Sequence, residues 1–274
     1  MRTTVLRLAL VVALPPALSA QGREPANYLP IVSNSASVMP PRVGFGEAEL
    51  GGWHVNPAPI TQVGMAWAAT APCTPPQVWR ATYTVGWTAG KGPITLLTQD
   101  WPWEANRLYV RVCLKLGRIG LYENQPSGTK MMFLSVGDSP GTARCSIVPR
   151  VKGNGSVSTM ATWPVEISFE CAGVLPTTSW PQLASAGRPF RSDVWQVHEW
   201  LLDAGSIDRA DGSALWWIDG QLVLRAAGLK MRTTASGNTH GFSRWKWAPT
   251  WGGTVGTKLR GDDYLIDHVY ISGQ

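Results

Sequence analysis

The regular alternation of apolar and polar residues is the feature of this sequence that most limits its fold. From residue 108 to residue 116 the apolar side chains recur at every second position; these are Val110, Val112, Leu114 and Leu116. A strand with one buried face has this period of two. Residues 165–171 (VEISFEC) repeat the pattern, and the 3.6-residue period of helices is almost absent. The sequence therefore predicts an all-β fold.

Turn signals support this prediction. Asp219-Gly220 separates the apolar runs 214–218 and 222–224, as in a two-residue hairpin turn whose positive φ angles glycine tolerates. With 29 Gly and 21 Pro but only 15% charged residues, the composition favours many turns and short strands. We expect the last strand at residues 264–271 (YLIDHVYI).

The N-terminal residues have the composition of a secretory signal peptide. Two arginines lie within the first seven residues, residues 8–18 are largely apolar, and Ser19-Ala20 offers a small-residue cleavage site. The apolar stretch is too short to span a bilayer as a helix, which needs about 20 residues. We therefore expect residues 1–20 to be removed and the protein to be secreted, extracellular or periplasmic, with no membrane span.

The remainder of the chain is expected to form one domain. Removal of the signal peptide leaves roughly 250 residues, the upper end for a single β-sandwich or barrel. Residues 21–43 are rich in Pro, Ser and Asn and show no clear period, so they are predicted to be a flexible lead-in. No second linker and no internal repeat follows. The domain is therefore placed at residues 44–274.

The cysteines are consistent with an oxidising compartment. Their number is even, and they are Cys73, Cys113, Cys145 and Cys171. Two disulfides are expected, and the sequence leaves all three connectivities open. Buried free thiols are the alternative, and none of the spacings resembles a zinc site.

The net charge of +6 suits an anionic partner such as an acidic polysaccharide. The basic residues are scattered, however, and form no Lys/Arg-rich run, so a merely soluble basic surface is an equal alternative. The same absence of a basic stripe or RNA-binding motif, together with export, argues against nucleic acid as the partner.

Aspartates offer the one candidate for a bound ion. Two groups of carboxylates could supply the hard oxygen ligands that calcium prefers. They are Asp203, Asp208 and Asp211, and Asp262, Asp263 and Asp267. Neither group has a complete calcium-loop signature. We expect no cofactor and no catalytic metal, with a structural calcium as the alternative.

A series of short segments occurs in a fixed order between residues 108 and 272. They are Leu108-Tyr-Val-Arg111, Ser127-Gly-Thr-Lys130, Trp195 with Glu199, Asp211-Gly212-Ser213, Trp217-Ile-Asp-Gly220, Trp251-Gly-Gly253 and Ile266-Asp-His-Val-Tyr-Ile-Ser272. Together they resemble the concanavalin A-like lectin/glucanase superfamily, particularly its polysaccharide-lyase-like branch. The resemblance implies a jelly-roll β-sandwich of two antiparallel sheets with a concave face that holds a sugar chain. Such folds host lectins, hydrolases and lyases, so function has to come from the site residues.

Two elements resemble lyase motifs. Gln196-Val-His198 is similar to the Gln-x-His element of alginate-lyase-type enzymes, and Tyr264 and Tyr270 have the spacing of their terminal strand motif. A lyase removes the proton α to a uronate carboxyl while other groups hold that carboxyl. The resemblance implies His198 or Tyr270 as the base, with Gln196 and Arg111 neutralising the carboxylate.

Aromatic side chains are candidates for stacking on sugar rings, because the chain contains 15 Trp. The period of two puts Trp200 on the face of Gln196, and His268 on the face of the terminal tyrosines. The residues expected to bind ligand are Trp200, Tyr264, Trp245, Trp247 and His268. Those expected to be structural are Trp195, Trp217 and Trp251.

Two functions from different classes remain. The preferred one is a carbohydrate-binding protein that recognises a polysaccharide on its concave face without cleaving it. The alternative is a polysaccharide lyase that cleaves an acidic, uronate-containing glycan by β-elimination. We prefer binding because the terminal lyase motif has Lys, Gly and Gln where this chain has Ile266, His268 and Ser272. The oligomeric state is left open.

Overall fold

The fold comes from a computed structural model. It describes residues 54–56, 63–73, 76–93, 95–97, 105–117, 128–136, 145–152, 162–171, 182–253 and 255–273. The predicted signal peptide, the predicted lead-in and the first residues of the predicted domain lie outside these ranges. Their boundaries remain predictions.

The described residues contain eighteen strands and a single 3₁₀ turn, Thr234–Ser236. In chain order the strands are β1 (His54–Asn56), β2 (Val63–Trp67), β3 (Gln77–Tyr83), β4 (Thr95–Leu97), β5 (Arg107–Leu116), β6 (Thr129–Lys130), β7 (Phe133–Val136), β8 (Cys145–Val151), β9 (Thr162–Trp163), β10 (Val165–Cys171), β11 (Gln182–Ala184), β12 (Phe190–Arg191), β13 (Gln196–Asp203), β14 (Gly212–Ile218), β15 (Gln221–Leu229), β16 (Phe242–Trp247), β17 (Thr250–Trp251) and β18 (Asp262–Gly273). Across these ranges, no helix has the length and apolar character needed to cross a membrane. The prediction of an all-β fold is confirmed.

The strands form two large antiparallel sheets. The seven-stranded sheet has the order β15-β14-β13-β5-β18-β3-β2. The nine-stranded sheet has the order β1-β4-β16-β7-β8-β10-β11, with β6 bridging β8 and β17 at its side. Many adjacent strands are far apart in the sequence; β5, for example, lies between β13 and β18. The sheets therefore depend on long-range strand pairing.

One continuous apolar core lies between the two sheets. The seven-stranded sheet contributes Val110 and Trp216, and the nine-stranded sheet contributes Leu134, Ile147 and Trp245, all fully buried. Because side chains alternate along each strand, the residues between these inward positions lie on the outer faces of the sandwich. The outer face of the seven-stranded sheet is the one that carries the candidate site.

A disulfide between Cys73 and Cys113 fastens the chain before β3 to the outer face of β5. It closes a loop of 40 residues, a constraint on the unfolded chain worth about 3–4 kcal/mol in the loop-entropy account. The carboxylate of Asp267, fully buried, accepts a hydrogen bond from the Cys73 N–H at 3.0 Å. One of the expected disulfides is therefore present.

The remaining two cysteines occupy paired positions in the backbone register of two neighbouring strands. Cys171 of β10 is the direct antiparallel partner of Cys145 of β8. Directly opposite residues have Cα atoms about 4.5–5.5 Å apart, within the range that a disulfide requires. Of the three connectivities open to the sequence, this backbone register fits the one that pairs Cys73 with Cys113 and Cys145 with Cys171.

Candidate functional site

Strand β13 presents the predicted Gln-x-His element to the core. Gln196, His198 and Trp200 are 2%, 0% and 0% exposed, whereas Val197 and Glu199 between them lie on the outer face. A polysaccharide on the outer face cannot reach side chains that point between the sheets. The structure therefore corrects the prediction that Gln196 and His198 touch the substrate and that Trp200 stacks on a sugar.

His198 belongs to a buried aromatic cluster. Its ring stacks on Trp200 with centroids 5.6 Å apart, and the Trp216 Nε1–H donates to its Nδ1 at 3.2 Å. Phe190 closes the cluster at 6.0 Å. Burial lowers the pKa of His198 to about 3, which a nearby carboxylate, Asp219, opposes only weakly, so the imidazole is neutral at ordinary pH. A neutral imidazole enclosed by aromatic rings is part of the core and does not reach the outer face.

Gln196 has a structural explanation as well. Its amide oxygen accepts from the Arg191 N–H at 2.7 Å, and its amide nitrogen donates to the Pro189 carbonyl at 3.1 Å and to the Asp219 carboxylate at 3.3 Å. Asp219, in the turn between β14 and β15, also accepts from the Val197 N–H at 2.9 Å. The amide thus ties the start of β13 to the neighbouring hairpin.

A β-bulge in β18 separates the two terminal tyrosines. The register against β5 shifts between Asp267 and Val269, and His268 at the bulge has a φ of 35°. The extra residue reverses the alternation, so Tyr264 is fully buried whereas Tyr270 lies on the outer face. The prediction that Tyr264 and Tyr270 share a face is therefore wrong, and Tyr264 cannot bind a ligand there.

Trp245 and Trp247 also point inward. Both are fully buried in the core, with Lys246 between them on the outer face of the nine-stranded sheet. The structure corrects their prediction as ligand-binding residues for the same reason as for Trp200: large apolar rings occupy the inward phase of a strand. His268, half-buried at the bulge, interrupts the alternation instead of sharing a face with either tyrosine.

The outer face of the seven-stranded sheet brings Arg111 and Tyr270 together. Arg111 of β5 is the direct partner of Glu199 on one side and of Tyr270 on the other. Side chains of direct partners lie about 5 Å apart at Cβ, so these three form a row across β13, β5 and β18. We call the row, together with Tyr109 two residues before Arg111, the outer-face cluster.

Hydrogen bonding within the outer-face cluster leaves the guanidinium available. The Tyr109 hydroxyl donates a short hydrogen bond to the Glu199 carboxylate, and its ring meets that of Tyr270 edge-on at 6.0 Å. Glu199 is thereby engaged by Tyr109. In the part of the chain that the structure describes, no hydrogen bond or ion pair engages the Arg111 guanidinium or the Tyr270 hydroxyl.

Tyr109 is held in its protonated form. Burial raises its pKa most, and the hydrogen bond to Glu199 and the negative charge of that carboxylate raise it further. Arg111 opposes this only in part. Tyr109 is therefore a hydrogen-bond donor that fixes Glu199 and is not a base, which leaves Tyr270 as the cluster's candidate for accepting a proton.

The outer face continues from the cluster into an apolar strip. Trp217 of β14 is the direct partner of Glu199, and Leu222 of β15 is the partner of Trp217. Leu201 and Leu215 lie one pair further along. All are half-buried or exposed. A half-buried indole beside charged groups is a typical platform for the apolar face of a sugar ring.

Glu199 and Trp217 are the site residues that the sequence reasoning missed. The sequence signal for Trp217 is the alternation along β14. Ala214, Trp216 and Ile218 are its apolar, inward-pointing residues, which leaves Trp217 on the outer face. Trp217, expected to be structural, is instead half-buried on the outer face. On β13 apolar residues occur at both the inward and the outward positions, so the alternation alone does not show that Glu199 points outward.

The aspartates suspected of binding calcium are satisfied by the protein itself. Asp208 accepts from the hydroxyls of Thr233 and Thr234, and Asp211 accepts from the N–H and hydroxyl of Ser206. These hydrogen bonds lower the pKa of both carboxyls. Within the described ranges, no group of three acidic, His or Cys side chains is arranged to hold a metal ion. A structural calcium stays a prediction.

Several solved structures with a similar architecture are polysaccharide lyases. A PL-14 alginate lyase from Aplysia kurodai superposes with a TM-score of 0.55 and 12% identity, over 78% of this chain and 88% of that one. An alginate lyase from a Chlorella virus gives 0.54 and 10%, over 82% and 94%. An endo-β-1,4-glucuronan lyase from the fungus Trichoderma reesei gives 0.53 and 11%, over 85% and 96%.

The similarity is one of fold. No protein-family model matches the sequence, and no curated protein sequence matches it either. At 10–12% identity, the superpositions show a polysaccharide-lyase-like β-sandwich. The fold implied by the sequence resemblance is in this sense confirmed.

Proposed function

We propose that this protein is a polysaccharide lyase that cleaves a uronate-containing glycan on the outer face of its seven-stranded sheet. The observation that carries the proposal is the row Glu199–Arg111–Tyr270, which places a half-buried guanidinium directly beside a tyrosine on a lyase-type sandwich. The alginate and glucuronan lyases with the same fold support the choice of an acidic glycan.

The proposed reaction is a β-elimination. Arg111 pairs with the uronate carboxylate and stabilises the negative charge that develops on it. Tyr270, as the phenolate, takes the proton from the carbon α to that carboxyl onto its oxygen and becomes the neutral phenol, acting as the base. The freed electron pair forms a carbon–carbon double bond, the glycosidic C–O bond at the β carbon breaks, and the departing oxygen takes a proton from water.

The other outer-face residues position the chain. Tyr109 engages the Glu199 carboxylate through its hydrogen bond, which supports a role for the Arg111 guanidinium in meeting the substrate carboxylate. Trp217 and the leucines beyond it are proposed to support neighbouring sugar rings. As part of the proposal the protein works outside the cytoplasm, where a disulfide such as Cys73–Cys113 persists.

The test is the ultraviolet absorbance of the unsaturated product during incubation with alginate, polyglucuronate and other polyuronates. We expect the wild-type signal to fall to background in Arg111→Ala and Tyr270→Phe. Arg80→Ala is the matched control, because Arg80 is an exposed arginine on the same sheet, in β3, and should leave the rate unchanged. Equal rates in Arg111→Ala and Arg80→Ala would remove Arg111 from the mechanism.

The second candidate is binding without cleavage. It is favoured by the burial of Gln196 and His198, which deprives the outer face of two groups that the lyase motif would supply. In this case no polyuronate gives an unsaturated product, yet alginate binding is measurable by calorimetry and is weakened in Arg111→Ala and Trp217→Ala. The pair of assays separates the two functions.

A further inference from the structure

Part of the outer face of the seven-stranded sheet is covered by the chain itself. Cys113 of β5, its direct partner Asp267 of β18 and Val78 of β3 point outward, yet all three are 0% exposed. Residues 68–73 follow β2 and lie over this line of side chains. Cys73 is bonded to Cys113, and its N–H donates to the Asp267 carboxylate at 3.0 Å. We call residues 68–73 the wall, because they run across the strands beside the outer-face cluster.

The wall separates two regions of the outer face. Arg80 of β3 is the direct partner of Leu265, which is in turn the partner of Lys115 of β5. Lys115 and Arg111 lie on opposite sides of the covered Cys113, each two residues from it. A glycan held by Arg111 therefore has the wall between itself and Arg80.

On the near side of the wall, two arginines of this sheet are available to a ligand. Arg107 and Lys115 are each bound to an aspartate, at 2.9 Å in both pairs. Among the described residues, no hydrogen bond, ion pair or ring contact engages the guanidinium of Arg225 of β15. Arg225 is in this respect the counterpart of Arg111.

Arg225 lies on the edge strand of the sheet, beside the apolar strip. Its neighbours Leu224 and Ala226 are buried in the core, so the Arg225 side chain points outward, where it is exposed. It is the direct partner of Leu215, one of the leucines of that strip. Arg111 lies three strands away and two residues along the sheet, about 16 Å from backbone to backbone at the usual strand spacing.

We infer that Arg225 binds the carboxylate of a second uronate of the same chain, several sugar units away from the uronate on Arg111. The inference rests on the proposed function, whose site it extends. A guanidinium can hold a carboxylate through two parallel hydrogen bonds, and the apolar strip between the two arginines gives the intervening sugar rings a surface for packing. The site then favours long polyuronates over short ones, because only a long chain reaches both arginines.

The test compares a trisaccharide with an octasaccharide, prepared from alginate and from polyglucuronate. The preference for the octasaccharide is the ratio of the two kcat/KM values, measured from the absorbance of the unsaturated product. In Arg225→Ala we expect this preference to fall about threefold at low salt, the effect of losing one exposed charge pair. Arg225→Lys should recover part of it, since it keeps the charge and loses the bidentate geometry. Arg80→Ala is the matched control, because it removes the same charge beyond the wall and should keep the preference.

Two results would overturn the inference. One is a preference that Arg225→Ala leaves unchanged, including the case in which it slows cleavage of both lengths equally. The other is the same fall in Arg80→Ala, which would reduce the effect to net charge.

Failure of the proposed function is a separate outcome, in which the wild type releases no unsaturated product from any fragment. The preference is then the ratio of the two dissociation constants, measured by calorimetry with the same variants. A wild type that binds neither length, or both lengths equally, would also contradict the role of Arg225.

Discussion

The two faces of strand β13 differ in what their polar groups can do. On the inner face, Gln196 and His198 are enclosed by aromatic rings and by the turn at Asp219. On the outer face, Glu199 stands beside the half-buried Arg111. The inner groups look more like a catalytic motif in the sequence, yet the outer ones are those that a glycan can reach. Burial, and not residue type, decides which set a ligand can reach.

The contrast implies opposite phenotypes. Substitutions on the inner face should lower stability and spare the chemistry of every molecule that remains folded. Substitutions on the outer face should do the reverse. The following experiments examine this division from the largest expected effect to the smallest.

Trp200→Ala tests the inner face most severely. Trp200 is fully buried and packs on His198 and Trp216, so its removal leaves a large cavity. We expect the free energy of unfolding to fall by about 3–5 kcal/mol in urea titrations. Trp200→Phe, which keeps most of the ring, should cost less. A lower activity per folded molecule in Trp200→Phe would show that the inner face contributes to the chemistry.

The pH dependence of stability tests His198. Its folded pKa of about 3 lies below the usual 6.5, so the neutral imidazole favours folding fully above pH 6.5, and this advantage is lost as the pH falls toward 3. At about 1.4 kcal/mol per pH unit, the loss between pH 6.5 and pH 4 is on the order of 3 kcal/mol. Urea titrations of His198→Phe should lack this part of the acid dependence.

The histidine control is on the surface. His240 is exposed, and His240→Gln is measured beside His198→Phe in the same urea titrations. If His198→Phe and the wild type lost stability in parallel below pH 6.5, the buried imidazole would not be the group that titrates.

Arg111→Ala tests the outer face. Loss of the group proposed to hold the uronate carboxylate should lower kcat/KM about 100-fold, the usual effect of removing one electrostatic stabiliser. The melting temperature should stay within a degree or two of the wild type, because the guanidinium is engaged by no described side chain. Arg111→Lys should recover part of the rate, since it keeps the charge and loses the bidentate geometry. A large loss of stability with an unchanged cleavage rate would show that Arg111 contributes to folding and not to the proposed reaction.

Glu199→Gln is the mildest test. It keeps a hydrogen-bond acceptor for Tyr109 and removes the charge that raises the tyrosine's pKa. Spectrophotometric titration should show one tyrosine ionising at lower pH than in the wild type, although still above its usual range because burial persists. We expect the cleavage rate to change less than tenfold. An unchanged tyrosine titration would mean that Glu199 does not act on Tyr109.

The fold could be predicted from the sequence because alternation and turn chemistry are local. The segment 108–116 and the Asp219-Gly220 turn are both found where the pattern places them, as β5 and as the connection of β14 to β15. Which of two alternating sets points inward depends on the partner sheet. On β5 one set is uniformly apolar and the choice is clear, and Arg111 is correctly placed on the outside.

The site could be predicted only in part, for two physical reasons. On β13 the inward set contains Gln196 and His198, which form hydrogen bonds with Asp219 and Trp216, 23 and 18 residues further along the chain. On β18 a bulge reverses which residues point inward. The only local sign of this bulge is the backbone of His268, a non-glycine residue with a positive φ angle. No sequence pattern predicts that conformation. Arg111 and Tyr270 were predicted in the site, whereas Glu199 and Trp217 emerge only from the strand register.

The bulge at His268 determines on which face of the sheet Tyr270 lies. Counted from Tyr264, a regular strand would put Tyr270 inside, with the residues that line the core, and one inserted residue sends it outside. A strand that kept all of these residues but lost the bulge would therefore turn the tyrosine, and every residue after it, through the sheet. Every side chain would be chemically unchanged, yet the outer face would lack its proposed base.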